Sequence, residues 1–101
     1  DFNVGVCLDT CHAWAAGEDL AEAVEILRSL TGRVDLVHCN DSRDPHNSRR
    51  DRHTNLGSGE IPTELILEVV RAADTDVVVE TPDGDEGGGQ KADIAWLRAK
   101  L

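Results

Sequence analysis

Aromatic residues, methionine and long apolar runs are scarce or absent in this sequence. Its 101 residues include one Phe, two Trp, no Tyr and no Met, so a buried core has to be built mainly from aliphatic side chains. No apolar run approaches the roughly 20 residues that span a bilayer. The amino terminus also has neither the basic segment nor the apolar core of a signal peptide. These absences predict a protein that does not cross a membrane.

Cysteine is scarce too, with three residues in the chain. Three is too few for a disulfide framework, and an odd number cannot pair completely. The cysteine content therefore favours a reducing, cytoplasmic setting. Cys7 and Cys39 lie in apolar runs and no C-x-x-C pair is present. This pattern predicts buried core thiols instead of a zinc–thiolate site.

Basic side chains are outnumbered, because 10 Lys and Arg face 20 Asp and Glu and leave a net charge of -10. That balance argues against a general nucleic-acid or membrane binder, whose surface is usually basic. The apolar fraction of 40% and the charged fraction of 30% are typical of a globular chain. The length allows one small domain. The start at Asp1, without Met, is expected of a segment from a longer protein.

Three short runs rich in β-branched residues predict strands buried on both faces, at Val4–Asp9, Val34–Cys39 and Asp76–Glu80. Apolar residues at helical spacing predict three helices, at about Asp19–Leu30, Pro62–Ala72 and Ile94–Leu101. The resulting order β-α-β-α-β-α predicts an α/β fold with a parallel sheet and right-handed crossovers. The long polar stretch from residue 40 to 59 is the loop most expected to carry function.

Each predicted strand ends in or near a residue that can bind a metal, namely Asp9, His38 and Glu80. The carboxyl ends of parallel strands point into the ligand site, and neighbouring strands lie about 4.8 Å apart. Two carboxylates and an imidazole suit zinc, manganese or iron. The alternative is that each residue caps a strand or binds a loop amide. One residue per strand on three strands favours a metal site.

A second ligand set is suggested by Asp51 and His53, which face the same side of an extended segment because they are two residues apart. His12 supplies a third ligand in this hypothesis. Spacing alone leaves two alternatives open: Asp51 pairs with Arg50 or Arg52, and His53 is a solvated loop residue.

The same loop is locally basic. Residues 43–53 contain four Arg and two Asp, a local charge of +2 in an acidic chain. Such a run is often only solvated. Because its Arg residues flank candidate metal ligands, a phosphate-facing role is favoured. His46 in the same loop is expected to be a surface residue.

Five short motifs occur in series: D-T-C-H at 9–12, H-C-N-D-S at 38–42, S-R at 48–49 followed by D-R-H at 51–53, N-L-G-S-G at 55–59 and E-T-P at 80–82. In this order and spacing they resemble the endonuclease IV family, the zinc-dependent apurinic/apyrimidinic (AP) endonucleases of base-excision repair. The resemblance extends from Val4 to Leu101. Each motif alone is weak evidence, whereas the series is specific.

The resemblance implies a TIM (β/α)8 barrel with three zinc ions at the carboxyl ends of its strands. Residues 1–101 match the last three βα units, the C-terminal part of such a domain, because a complete barrel takes about 250 residues. Asp9, His38 and Glu80 then match three ligands of one zinc. His12, Asp51 and His53 match the ligands of another. The third zinc is held in the family by residues of earlier strands.

The resemblance also assigns supporting roles. Arg52 and Arg49 match the loop that reaches DNA, whereas Asn40, Asp41 and Ser42 are expected to donate or accept hydrogen bonds that support the ligands. No catalytic residue beyond the metal ligands is implied. The segment Asp83–Gly89 departs from the family pattern.

The implied activity is hydrolysis of the phosphodiester 5′ to an abasic site in double-stranded DNA, leaving a 3′-hydroxyl. The complete enzyme is expected to be a monomer. The isolated chain is expected to have little activity, because its metal sites are incomplete and the cut barrel has open edges. Two alternatives remain: a metal-dependent sugar isomerase or epimerase of the same barrel superfamily, and a non-enzymatic zinc-binding remnant.

Overall fold

The computed structural model describes residues 5–82 and 89–101. Within these ranges the chain forms five strands and four helices, in the order β1 (Cys7–Asp9), α1 (Thr10–Ala15), α2 (Leu20–Thr31), β2 (Leu36–His38), β3 (Asp41–Ser42), β4 (His53–Thr54), α3 (Thr63–Ala73), β5 (Asp76–Val78) and α4 (Gly89–Lys100). No helix in the described part is long and apolar enough to cross a bilayer.

The main sheet is parallel, with the strand order β1-β2-β5. Asp9 lies opposite His38, and His38 lies opposite Val78. This register confirms the α/β class with three parallel βα units and aligns the carboxyl ends of the three strands. Candidate ligands from different parts of the chain therefore meet at one edge of the sheet.

The strands are shorter than the sequence pattern predicts. The third ends at Val78, so Glu80 lies two residues beyond it. The reason is a change of hydrogen-bond partner, because the Glu80 amide donates to Asn40 Oδ1 (2.8 Å) and not to a neighbouring strand. The predicted start of the first strand at Val4 falls outside the described residues.

Helix α2 begins and ends within one residue of the range Asp19–Leu30 that the sequence predicts. Asp19 caps its start by accepting a hydrogen bond from the Ala21 amide, and Gly32 ends it in the left-handed conformation at φ 81°. The helix packs on α3. The Arg28 guanidinium joins the two helices by donating to the carbonyls of Ala72 and Ala73, at the C-terminal end of α3 where cations are favoured.

The core is aliphatic, as predicted, and Val37, Ile66 and Val69 are almost fully buried in it. Cys39 is also buried, but Cys7 is exposed, which corrects the prediction that both are core thiols. Neighbouring strand residues face opposite sides of a sheet. Leu8 is buried on one side, and Cys7 therefore points to the other.

Two predicted apolar helix faces are wrong in part. Leu30 is 78% exposed, because at 3.6 residues per turn it is rotated by about 80° from Leu20. For the third predicted helix, Ile94 in α4 and Leu101 just beyond it are exposed, whereas Asp93 and Leu97 are buried. The buried face of α4 includes a carboxylate, which an apolar pattern does not reveal.

The predicted loop from residue 40 to 59 contains a short antiparallel hairpin, in which Asp41 pairs with Thr54 and Ser42 with His53. A short helix, α1, also follows β1 directly and was not predicted. Asp9 caps it by accepting a hydrogen bond from the His12 amide (3.0 Å). Of the predicted Asp83–Gly89 loop, residues 83–88 lie outside the described part.

Candidate metal centre

Three side chains at the carboxyl edge of the sheet form a compact ligand group. One ligand atom each from Asp9, His38 and Glu80 lies within 4.8 Å of the others. His38 Nδ1 and a Glu80 carboxylate oxygen are in hydrogen-bond contact. The sequence predicted this group from strand ends, and the parallel register explains why it assembles. Glu80 joins it although it lies beyond its strand.

Asp51 links two imidazoles in a neighbouring group. One carboxylate oxygen lies 3.2 Å from His12 Nδ1, and the other lies 3.5 Å from His53 Nε2. The ion-pair partners that the described structure gives Asp51 are thus His12 and His53, and not the adjacent Arg50 or Arg52. His12 is exposed, whereas the His53 side chain is largely buried.

The tautomer of His53 is set by its backbone contact. Its Nδ1 lies 3.1 Å from the Glu80 carbonyl oxygen, so this nitrogen is the donor. Its Nε2 then faces Asp51 and Asp9, whose Oδ2 is 3.6 Å away. Asp9 and His53 therefore connect the two ligand groups.

Among the described residues, Cys11 and not His12 is the third residue whose ligand atom lies within 4.8 Å of those of both Asp51 and His53. It is fully buried, and burial, followed by the hydrogen bond to Asp51, raises the pKa of its thiol to about 12. The Cys11 thiol thus lies against Asp51, on the buried side of the second ligand group. Sequence reasoning missed this contact, although the position of Cys11 between Asp9 and His12 was a signal.

Asn40 is fully buried behind the first ligand group. Its amide oxygen accepts from the Glu80 amide, and its Nδ2 lies 3.4 Å from Asp9 Oδ2. The Asn40 backbone is fixed in turn by Thr10, whose hydroxyl donates to the Asn40 carbonyl (2.6 Å). The Asn40 side chain thus contacts two candidate ligands, Asp9 and Glu80, that lie far apart in the sequence.

Asp41 organises the turn that follows β4. Its buried carboxylate accepts hydrogen bonds from the amides of Gly57, Gly59 and Ile61 at 3.0–3.1 Å, and from that of Ser42 at 2.8 Å. A Cβ at Gly59 would lie 2.3 Å from the Ser42 carbonyl oxygen. Gly59, the last residue of the N-L-G-S-G motif, is therefore required because the Ser42 backbone lies too close to admit a side chain.

A second buried carboxylate, Asp93 of α4, was not identified from the sequence. It accepts hydrogen bonds from Asn55 Nδ2 (2.9 Å), the Leu56 amide (3.1 Å) and the Thr81 hydroxyl. It ties the turn after β4 to the segment that carries Glu80.

Arg52 and Arg49, predicted to reach DNA, lie in different surroundings. Arg52 donates to both oxygens of Asp44, from Nε at 2.8 Å and from Nη2 at 2.6 Å. This pair holds the pKa of Asp44 below its usual range. Arg49 lines an open groove with His12 and Asp51, beside the second ligand group.

The donor sets fit zinc. Each group offers carboxylate oxygens and imidazole nitrogens, which are the zinc ligands found in catalytic sites with three protein donors. Of the residues expected to support the ligands, Asn40 contacts Asp9 and the Glu80 amide. The Asp41 carboxylate instead accepts hydrogen bonds from backbone amides of the following turn.

The chain is similar to curated bacterial proteins over its whole length. It is 56% identical over 101 residues to a Mycobacterium ulcerans protein named "Probable endonuclease 4", in a match that covers 100% of this chain and 38% of that protein. It is 55% identical over 100 residues to the protein of the same name in Mycobacterium tuberculosis, again with 38% of that protein covered. The chain thus spans less than half the length of these relatives.

The structure agrees with the sequence similarity. The crystal structure of endonuclease IV from Thermus thermophilus superposes with a TM-score of 0.76 at 38% identity, covering 98% of this chain and 39% of that one. These matches confirm the resemblance found in the motifs. The model of the family described as xylose isomerase-like TIM barrel matches residues 2–100. The chain therefore belongs to the xylose isomerase-like TIM barrel family.

Proposed function

We propose that this chain is the C-terminal part of a zinc-dependent AP endonuclease that repairs DNA by hydrolysing the phosphodiester 5′ to an abasic site. The product ends in a 3′-hydroxyl. The observation that carries the proposal is that the two ligand groups lie next to each other at one edge of the sheet. His53 Nε2 of the second group is 3.6 Å from Asp9 Oδ2 of the first. The similarity to proteins named endonuclease 4 supports it.

In this proposal Asp9, His38 and Glu80 hold one zinc ion, and His12, Asp51 and His53 hold another. Bound zinc would supply an activated water near neutral pH and stabilise charge on the phosphate oxygens. The protein side chains bind and orient. His53 presents Nε2 because its Nδ1 donates to the Glu80 carbonyl. Asn40 holds Glu80 and Asp9 in place.

The DNA partner requires a phosphate-attracting face on an acidic chain. Three of the acidic residues, Asp9, Asp51 and Glu80, are proposed ligands, so bound ions would reverse the local charge. Arg49 in the groove beside His12 and Asp51 is then placed to contact a phosphate. The acidic remainder of the surface confines DNA contact to this face.

A sugar isomerase or epimerase is the second candidate, because the family includes barrels described as xylose isomerase-like. The D-R-H segment at 51–53 and the similarity to proteins named endonuclease 4 favour the nuclease. A zinc-binding remnant without activity is the third.

Zinc binding by the 101-residue chain tests the ligand assignment. Calorimetric titration is expected to show about two sites per chain, of which His38→Ala removes one and His53→Ala the other. His46→Ala is the matched control, because His46 packs on Trp14 and contacts the Glu18 carbonyl, outside both groups. A chain that binds less than one zinc would contradict the assignment.

Activity is tested in a chimera in which this chain replaces the matching 38% of the Mycobacterium marinum relative, to which it is 56% identical. We expect incision of an abasic duplex on the 5′ side, and loss of incision in the His38→Ala chimera. A chimera that binds zinc and isomerises a sugar but leaves the duplex intact would favour the isomerase. The isolated chain is expected to incise weakly.

A further inference from the structure

The loop that carries Asp51 is closed by a contact between its two ends. Arg52 donates two hydrogen bonds to the Asp44 carboxylate, from Nε at 2.8 Å and from Nη2 at 2.6 Å. The backbone closes the loop at the same point, because the Arg43 amide donates to the Arg52 carbonyl (3.0 Å). A bidentate arginine–carboxylate pair is directional, so it orients the segment as well as tethering it.

Asp44 is a fixed anchor. It is 7% exposed, and its backbone is bonded on both sides: Ser42 Oγ accepts from the Asp44 amide (3.1 Å) and donates to its carbonyl (3.0 Å). The Trp14 indole also donates to that carbonyl (2.9 Å). Asp44 is therefore attached both to β3 and to α1, the helix that carries His12.

The side chains of residues 51–53 point alternately to opposite sides of the chain, and this alternation links Asp44 to the proposed ligands. Asp51 and His53 lie on either side of Arg52, and neighbouring side chains of an extended chain point in opposite directions. While Asp51 and His53 turn toward each other and the metal groups, Arg52 turns back to Asp44. Anchoring of the Arg52 side chain therefore restrains the backbone from which both ligands project.

We propose that the Asp44–Arg52 pair is a positioning device that holds Asp51 and His53 in the geometry required to bind zinc. This inference rests on the proposed function of these two residues as ligands. The positioning role of Arg52 does not require contact with DNA. Asp44 also acquires a role, although it lies in none of the motifs found in the sequence. Asp44 cannot reach DNA readily, because its side chain is 10% exposed.

The experiment measures the zinc affinity of the 101-residue chain by competition with a chromophoric chelator, in a His38→Ala background that isolates the second group. Asp44→Asn and Arg52→Ala are each expected to weaken binding by about 10- to 100-fold, the usual effect of losing a partner that orients a ligand. The double variant is expected to be no weaker than the worse single variant, because the two residues act as one pair.

Arg33→Ala is the matched control. Arg33 makes an equally direct contact with Asp35, from Nη2 at 2.6 Å and from Nε at 2.8 Å, but this pair precedes β2 at the opposite end of the strand from His38. Zinc affinity is expected to be unchanged in this variant. The absorption of bound Co²⁺ provides a second readout, since altered ligand geometry changes its visible bands and a general loss of stability does not.

The outcomes separate this inference from the proposed function. If His53→Ala does not reduce zinc binding, both fail. If His53→Ala abolishes binding but Asp44→Asn binds zinc and Co²⁺ like its parent, the positioning role alone is overturned. A defect in Arg52→Ala without one in Asp44→Asn also overturns it. Should Arg52→Ala fail to fold, Arg52→Lys replaces it, with an expected weakening because an ammonium cannot form the bidentate contact.

Discussion

The side-chain oxygen of Asn40 accepts a hydrogen bond from the backbone amide of Glu80 at 2.8 Å, across 40 residues of sequence. This bond takes the place of the strand pairing that ends at Val78, and it fixes where the third candidate ligand leaves the sheet. The same Asn40 side chain lies 3.4 Å from Asp9 through Nδ2.

Replacing Asn40 is therefore expected to affect both the fold and the first ligand group. Asn40→Ala leaves the partly buried Glu80 amide without its acceptor, at a cost of about 1–3 kcal/mol in the free energy of unfolding. Zinc affinity at Asp9, His38 and Glu80 is expected to fall by about 10- to 100-fold. Urea denaturation and zinc titration measure the two effects. Ser29→Ala, on the exposed face of α2, is the control. Unchanged affinity in Asn40→Ala would contradict the supporting role.

Gly59 is expected to tolerate no side chain. In Gly59→Ala the new Cβ would meet the Ser42 carbonyl at 2.3 Å and the Asp41 carboxylate at 2.4 Å, and backbone cannot move aside cheaply. The expected loss of stability is on the order of 3 kcal/mol or more. Gly32→Ala is the matched control, because nothing lies within 4 Å of its Cβ and its left-handed backbone costs about 1–2 kcal/mol. Equal losses in the two variants would refute the close-approach argument.

Stability below neutral pH is expected to depend on Asp44. Its hydrogen bonds with Arg52 lower its folded-state pKa from the ordinary value of 3.8. A lowered carboxylate pKa stabilises the folded state at pH values above 3.8, and this contribution is lost as the pH falls through the folded-state pKa. The difference in urea midpoint between the parent and Asp44→Asn should therefore be constant above about pH 5 and shrink toward about pH 3.

Salt dependence tests whether the Asp44–Arg52 ion pair accounts for this stability. The Arg52 side chain is half-exposed, so about 1 M NaCl is expected to reduce the difference between parent and Asp44→Asn at neutral pH. A difference that is independent of both pH and salt would point to packing and away from the ion pair.

The three thiols are expected to react unequally. Cys7 is exposed, whereas Cys11 and Cys39 are fully buried, and burial raises the pKa of each buried thiol to about 12. A disulfide reagent added to the metal-free native chain should titrate one thiol rapidly, and all three in denaturant. Cys7→Ser should remove the rapid phase. A rapid phase that survives in Cys7→Ser would show that a buried thiol is accessible.

Much of the fold follows from local sequence signals. Apolar periodicity predicts α2 and α3, Asp19 and Gly32 mark the ends of α2, and β-branched runs predict the three parallel strands. These features depend on residues within a few positions of each other. The type of each candidate ligand is also visible, because Asp9, His38 and Glu80 recur at or near the ends of successive predicted strands. Whether these residues and His12, Asp51 and His53 bind zinc stays a prediction.

Tertiary structure alone decides the partners of those residues. Asp51 had Arg and His neighbours within reach in the sequence, and the docking of its loop on α1 turns it toward His12 and His53. Arg52 turns to the buried Asp44, and Asp93 is buried on a helix face that an apolar pattern would leave exposed. Periodicity and capping act over one or two turns of chain. The hydrogen bonds of Arg52 with Asp44, of Asp93 with Asn55 and of Asp51 with His12 instead join residues 8 to 39 positions apart. The sequence by itself determined the elements and the ligand chemistry, and packing determined which side chains meet.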